Sequence, residues 1–382
     1  MKTNLVLPVL VAGIAQAELS PLSDYVKPYV DGRYRYEDRT MSDGYADVGT
    51  ANTRSLSFQA GAKITGEWGF GGLVEYEVTQ NFEEVTTLDP DQTGFNQYYP
   101  SCTNGETVVK YGRQQINLGA ITAEGGQAFV GGVAWRQNEQ TYDALSLSTK
   151  AIGDLSLFVS YANQVNTIFS TETGGGPPQT SGESWAHDGD FVFVNAEYAG
   201  VTAYYYGANY DDNLPAVVQG REGDTFGAFT KLGGLYLEGA VQNGKGYYHI
   251  AYTTKVAGKT VKVGAEQLNG GFSTPFATAH KFGGWSDAIL GERVNGTGVG
   301  TTDFYALVAT KLPFGITFKT VGHYITDDTY GEVRGSELDL LLVKPITKGV
   351  KAVVKYADFD SAGLGAGGGD REITTAEINF SF

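Results

Sequence analysis

The sequence has little of what metalloenzymes and helical membrane proteins use. Of its 382 residues, one is a cysteine (Cys102) and four are histidines. A single cysteine excludes an intrachain disulfide, and the scattered histidines lack the spacing of metal ligands. Beyond the N-terminus no run of about 18 apolar residues occurs, so the sequence predicts no membrane-spanning helix. These absences argue against a metalloenzyme and against a helical transporter.

Basic residues are also scarce. The chain has 27 Lys and Arg against 43 Asp and Glu, a formal net charge of −16, which excludes a general nucleic-acid binder. The fragments that resemble catalytic motifs are His187-Asp188 and the segment around Ser286, and both lack the expected context. We therefore predict no catalytic residue, no metal and no cofactor. A surface enzyme built on His187 or Ser286 is the rival hypothesis.

The N-terminus is typical of an export signal. Lys2 is followed by an apolar run over 5–14 and by Ala15-Gln16-Ala17, a small-x-small cleavage pattern. The sequence predicts a signal peptide over residues 1–17 and one domain over 18–382. An uncleaved anchor is the alternative, but the apolar run is too short to span a bilayer.

The C-terminal segment alternates in polarity and stops on an aromatic residue. Ile378, Phe380 and Phe382 share one face of an extended strand, and Glu377 and Asn379 share the other. An exposed edge of this kind templates aggregation, whereas a closed barrel pairs its last strand with its first. The ending also resembles the assembly signal of bacterial outer-membrane proteins, which implies the barrel assembly machinery as a partner that binds the strand ending at Phe382.

The same alternation recurs along the chain. It predicts 18 strands, near 29–38, 53–66, 70–80, 95–101, 106–116, 140–150, 154–166, 190–199, 201–210, 223–232, 235–243, 246–257, 259–269, 302–312, 314–325, 336–346, 348–358 and 371–382. Short and long connections alternate, except near 243–246. We predict an all-β fold, a transmembrane antiparallel β-barrel of about 18 strands with short periplasmic turns and long extracellular loops. A soluble β-sandwich or solenoid is the competing fold.

Strand parity sends charged side chains of both signs to the lumen, because charges facing lipid are costly. The predicted inward residues are Arg33, Arg35, Glu75, Glu77, Lys110, Lys262, Glu266, Glu337, Asp339, Lys351 and Lys355. Such charges favour a water-filled channel with a transverse field. The alternative is a plugged barrel in which they only pair with one another.

Two long loops are more apolar than exposed loops usually are. The loop over 117–139 carries Trp135 and Arg136, and the loop over 270–301 carries Trp285. Folded inward, the first would bring Arg136 into the pore, near Arg113. A cap on the rim, or a contact with lipopolysaccharide, explains the apolar residues equally well.

The same two loops carry a family resemblance. GRQQINL (112–118), FVGGVAWRQNEQTYDA (129–144) and FSTPFATAHKFGGWSD (272–287) resemble segments of outer-membrane porins of the alginate export family. The resemblance implies an 18-stranded monomeric barrel that conducts carbohydrate or other small hydrophilic solutes, with Arg113 and Arg136 lining the channel or anchoring a loop. The acidic net charge departs from the strongly basic lumen that suits a polyuronate.

Together these features predict a porin-like channel of the bacterial outer membrane. It would let small hydrophilic solutes, sugars or oligosaccharides among them, diffuse passively, and would contact outer-membrane lipid and lipopolysaccharide. Selectivity would come from the inward charges and the infolded loops, with Trp135 and Trp285 as loop aromatics beside them. A non-conducting structural or adhesive barrel is the remaining rival.

We expect the exported protein to begin at Glu18, because the small side chains of Ala15 and Ala17 fit signal peptidase. Ala17→Arg should block cleavage, whereas Glu18→Gln, one residue beyond, should not. Intact mass of the membrane-extracted protein checks this, and a mass that includes residues 1–17 would contradict it.

Overall fold

The computed structural model describes residues 24–41, 51–82, 91–118, 129–132, 135–168, 186–211, 221–277, 283–289, 300–328, 331–362 and 369–382. The predicted signal peptide lies outside these ranges, so its cleavage stays a prediction.

The described residues form twenty strands, and eighteen of them build the wall of one barrel. They are β1 (Val26–Met41), β2 (Ala51–Thr65), β3 (Phe70–Asn81), β4 (Gln92–Asn104), β5 (Thr107–Gln114), β6 (Val130–Gly131), β7 (Thr141–Ile152), β8 (Leu155–Asn166), β9 (Ala186–Tyr198), β10 (Val201–Tyr210), β11 (Gly223–Leu232), β12 (Leu235–Gln242), β13 (Lys245–Val256), β14 (Lys259–Leu268), β15 (Phe276–Ala277), β16 (Thr301–Lys311), β17 (Thr317–Asp327), β18 (Val333–Thr347), β19 (Val350–Ser361) and β20 (Arg371–Ser381). The short strands β6 and β15 lie apart from the wall and pair with each other.

The wall closes between its last and first strands. β20 pairs antiparallel with β1, so that Phe380 lies opposite Gly32 and Ile378 opposite Tyr34. The pairing continues to the end of the chain, where the N–H of Phe382 donates to the carbonyl of Val30 at 2.8 Å. The predicted fold, a closed antiparallel barrel of 18 strands, is confirmed.

The two rims of the barrel differ as predicted. Short turns join β2 to β3, β4 to β5, β7 to β8, β9 to β10, β11 to β12, β13 to β14, β16 to β17 and β18 to β19. The opposite rim carries the longer connections and one exception, the turn at Asn243-Gly244, where both residues have positive φ. We call the first rim the short-turn rim. Pro100, which has no N–H to donate, lies where the β4–β5 ladder has no pairs.

The two faces of the wall have opposite polarity. Apolar side chains such as Phe226, Ile250 and Leu338 point outward and are about half exposed, as expected of a belt in contact with lipid. The inward face carries most of the buried charged groups. In the part of the chain that is described, no helix is long and apolar enough to cross a membrane.

This polarity predicts the effect of a new charge on β18. Leu340→Arg, on the outer face near the middle of the strand, should lower the free energy of unfolding in vesicles by about 2 to 4 kcal/mol. Val343→Arg, the matched control, points into the lumen and should cost clearly less. Urea titration of both refolded variants checks this, and equal losses would contradict the assignment of the faces.

Candidate functional site

Two loops between wall strands lie inside the barrel. We call residues 129–132 and 135–140 the first inner loop, and residues 272–277 and 283–289 the second. They meet where β6 pairs parallel with β15, and the amide of Gln140 donates to the carbonyl of Phe276 at 2.8 Å. Phe129 and Val130 are almost completely buried. The structure therefore has these loops folded into the lumen and not capping the rim.

The inner loops pack against an aromatic sector of the wall. Phe129 lies 4.7 Å from Tyr247 and 5.7 Å from Phe272, measured between ring centroids. Phe276 contacts Phe191 and Phe193 edge to face. Apolar burial thus fills the β7–β14 side of the lumen, and polar groups are concentrated on the other side.

On the polar side of the lumen, the two inner loops contact each other through Trp135 and Trp285. Their ring centroids are 5.3 Å apart, and their exposed fractions are 8% and 3%. Lys355 lies 4.1 Å above the Trp135 ring, and Lys319 lies 5.0 Å above the Trp285 ring. Buried rings covered by cations are loop anchors and offer little free face for stacking a sugar.

Basic side chains line the wall on β1, β19 and β20. We call this set the basic stripe; its members are Arg33, Arg35, Arg39, Lys351, Lys355 and Arg371. The stripe holds the first inner loop: Arg33 donates to the carbonyl of Arg136 at 2.9 Å, and Arg35 donates to that of Trp135. Guanidinium groups therefore fix the loop backbone against the wall.

Glu37 is the carboxylate that balances part of the stripe. It accepts from Arg39 at 2.7 Å, from Arg136 at 3.3 Å, and from Arg35. All four side chains are nearly fully buried. Three guanidiniums thus converge on this one carboxylate.

The two inner loops are also joined through Arg136 and Arg371. Arg136 lies 3.9 Å from the Asp287 carboxylate, and Arg371 donates to the Asp287 carbonyl at 2.7 Å. Asp287 thus brings the second inner loop to the basic stripe.

Acidic side chains lie on β3, which β2 separates from β1, and at the end of the first inner loop. We call Glu75, Glu77 and Glu139 the acidic patch. Asn96 donates to Glu75 at 2.9 Å and to Glu139 at 3.0 Å, and so bridges the wall and the loop. Glu139 lies outside the strands that span the membrane; burial raises the pKa of its carboxyl to about 7, and the charge of Glu75 adds to the effect.

Glu337 on β18 anchors the second inner loop. Its carboxylate accepts the N–H groups of Trp285 at 2.5 Å and Ser286 at 2.8 Å, and the Ser286 hydroxyl at 2.6 Å. Gly284 has φ +94°, and a β-carbon there would overlap the Glu337 carboxyl. Ser286 is thus engaged in holding the loop, while His187 packs against Tyr210 on another part of the wall.

The remaining predicted residues lie on the inward face but make separate contacts. Lys110 lies over the ring of Tyr99 and Lys262 over that of Tyr305. Glu266 accepts from Tyr247 at 2.6 Å. Further contacts are Lys355 with Glu377 at 2.8 Å and Asp339 with His323 at 3.5 Å.

A cavity of ≈ 440 Å³ lies between the first inner loop and the short-turn ends of β18–β20 and β1. Arg33 and Lys351 line one part of it, and Asp31 and Glu139 line another. A solute in this space would meet charges of both signs.

Arg113 does not lie where the sequence predicted. It pairs with Tyr98 on β4 and Asp143 on β7, and its guanidinium binds the Asp143 carboxylate at 2.8 Å. Tyr98 and the neighbouring Leu145 belong to the exposed outer face. The prediction that Arg113 lines the channel is therefore wrong, because the strand register places its side chain on the outside of the barrel.

Sequence reasoning missed several inward groups. Glu37 and Arg39 continue the parity of Arg33 and Arg35, so the alternation of β1 already contained them. Asn96 faces inward beside Gln97 because of a bulge in the β3–β4 ladder, which alternation alone cannot show.

Comparison of sequences finds no family model and no curated protein that match this chain. Solved structures do match. Pseudomonas aeruginosa OpdQ and OccK5 (OpdH) each share 14% identity at a TM-score of 0.63, over 94% of this chain and 98% of theirs. Acinetobacter baumannii OccAB4 shares 13% at a TM-score of 0.63, over 93% and 98%.

These neighbours show that the fold is that of outer-membrane porins. The closed barrel with its apolar outer belt belongs in the bacterial outer membrane. Membership of the alginate export family is not shown by any comparison. Within the described residues no group of three or more His, Cys, Asp or Glu is arranged to hold a metal.

The Glu337 anchor leads to a prediction for Gly284. Gly284→Ala should displace the second inner loop and weaken its charged hydrogen bonds, and so lower the free energy of unfolding by about 2 kcal/mol or more. It should also make tryptophan emission more accessible to iodide. Gly331→Ala is the control, because it has positive φ but open space around it. Equal effects of the two substitutions would show that backbone strain alone is responsible.

Proposed function

We propose that the protein is a passive channel through the outer membrane for small hydrophilic solutes. An 18-stranded barrel is wide enough to leave an aqueous path unless loops fill it. The inner loops fill the aromatic side of the lumen and leave a charged space beside the basic stripe. The structural neighbours are porins, which are channels and not enzymes, and we propose no enzymatic activity here.

The observation that carries the proposal is the separation of basic and acidic side chains along the lumen wall beside the first inner loop. The basic stripe lies on β1, β19 and β20, and the acidic patch lies on β3 and the loop itself. Opposite charges in neighbouring sectors around one cavity create a field across it, which orients solutes that have a dipole or a net charge.

Sugars, oligosaccharides and a polyuronate such as alginate are narrower proposals for the solute. The cations over Trp135 and Trp285 leave little aromatic surface for sugar stacking, and the acidic patch would repel a polyanion. We therefore place small polar and charged solutes first, and neutral sugars second. A non-conducting barrel is the remaining alternative.

Single-channel recording in planar bilayers tests the proposal. At about pH 8, above the pKa of Glu139, we expect steady conductance whose reversal potential moves toward anion preference in Glu139→Gln and toward cation preference in Lys351→Gln. Lowering the pH of the wild type below about 7 should reproduce the Glu139→Gln shift, since protonation removes the same charge.

Arg113→Gln is the matched control, because it removes an arginine that lies outside the lumen and should leave the reversal potential unchanged. Titration with neutral oligosaccharides in the same recordings separates the sugar hypothesis from charge selection. A correctly folded barrel with no conductance would overturn the channel and favour a structural role.

A further inference from the structure

Two turns on the short-turn rim present a large aromatic side chain at their tips. They are formed by residues 66–70, with Trp68 at the tip, and by residues 312–316, with Phe314 at the tip. Each of these side chains is 88% exposed, and none of the large hydrophobic residues in the described chain is more exposed. We call the segments the aromatic turns.

The aromatic turns have the same backbone geometry. The Gly66 N–H donates to the Phe70 carbonyl at 2.6 Å, and the Leu312 N–H donates to the Ile316 carbonyl at 2.8 Å. Trp68 has φ 56° and ψ 25°, and Phe314 has φ 63° and ψ 21°. A glycine of positive φ follows in each case.

This geometry does not require an aromatic residue. A left-handed conformation costs free energy for any residue with a β-carbon, and Asn, Asp and Gly tolerate it best. Other turns on the same rim use small residues at their left-handed positions, such as Ala199, Ala257 and Gly105. The aromatic turns thus combine backbone strain with exposed apolar surface, and the fold itself gives no reason for either.

The surroundings of the aromatic turns supply a reason. Phe70 and Ile64 beside the first turn, and Leu312 beside the second, belong to the apolar outer belt and are 61%, 43% and 38% exposed. Outward apolar side chains therefore lie directly beside both tips. Tryptophan and phenylalanine at the end of such a belt match the boundary between hydrocarbon and headgroups.

We propose that Trp68 and Phe314 are paired anchors that insert into the headgroup boundary of the leaflet next to the short-turn rim. Six wall strands lie between the two turns (β17, β18, β19, β20, β1 and β2), a third of the eighteen. The basic stripe lies within this sector. The anchors hold the depth and tilt of the part of the wall that carries the channel's charges.

Quenching of tryptophan emission by brominated phosphatidylcholine tests the proposal on the complete refolded barrel in vesicles. The tryptophan emission of the wild type should contain a component that is quenched by bromines near the headgroups, and the emission of Trp68→Asn should lack that component. Phe314→Trp should add a second such component, so the test does not depend on one variant. The other three tryptophans, Trp135, Trp185 and Trp285, are unchanged in all samples, so their emission cancels in the differences between variants.

Quenching of these components by aqueous iodide, and not by brominated lipid, would overturn the proposal and point to a periplasmic partner. Measurements of stability test the proposal independently. Asn is the better residue for a left-handed turn, yet Trp68→Asn should lower the urea midpoint in vesicles because the lipid contact is lost. The control Ala257→Asn, in a turn without an aromatic residue, should not lower it. A raised midpoint for Trp68→Asn would contradict the anchor, whatever the conductance measurements show.

Discussion

Closure of the sheet is the constraint on which the rest of this structure depends. In hydrocarbon every backbone N–H and C=O needs a partner within the protein, and a sheet meets this requirement only when its last strand pairs with its first. The β20–β1 ladder does so along its length, down to the mutual hydrogen bonds of Val30 and Phe382. Within the closed ring, polarity pattern and turn geometry set the register of each wall strand, and the register fixes the face to which each side chain points.

The fixed direction of each side chain explains why charged groups lie inside the barrel. It also explains why the inner loops bind there. The middle of the outer face must be apolar, so most Lys, Arg, Glu and Asp on the strands point into the lumen, where the basic stripe and the acidic patch lie apart. Charged side chains on the lumen wall give the backbone groups of the inner loops hydrogen-bond partners and so hold the loops in place. The carbonyls of Trp135 and Arg136 accept from the stripe, and the N–H groups of Trp285 and Ser286 donate to Glu337.

The sequence predicted the features that depend on local pattern. Strand number, the alternation of rims and the inward direction of most charges follow from period-2 polarity and from turn residues. Features set by strand register, or by contacts between residues far apart in sequence, were missed or predicted wrongly. Arg113 faces outward because the β4–β5 and β5–β7 ladders place it so. The pairing of Gln140 with the Phe276 carbonyl joins residues 136 positions apart, which no local pattern can show.

The contacts that hold the inner loops limit how the proposed channel could select its solutes. Glu37 and Glu337 each accept several donors from side chains or loop backbone while nearly fully buried. Removing Glu37 would leave its guanidinium partners buried without a carboxylate, which is far more costly than separating two apolar surfaces. In the proposed channel, contacts of this cost would hold the inner loops in place and give the lumen a fixed pattern of charge. Discrimination among solutes would then come from the static field of the lumen, without any need for the loops to move.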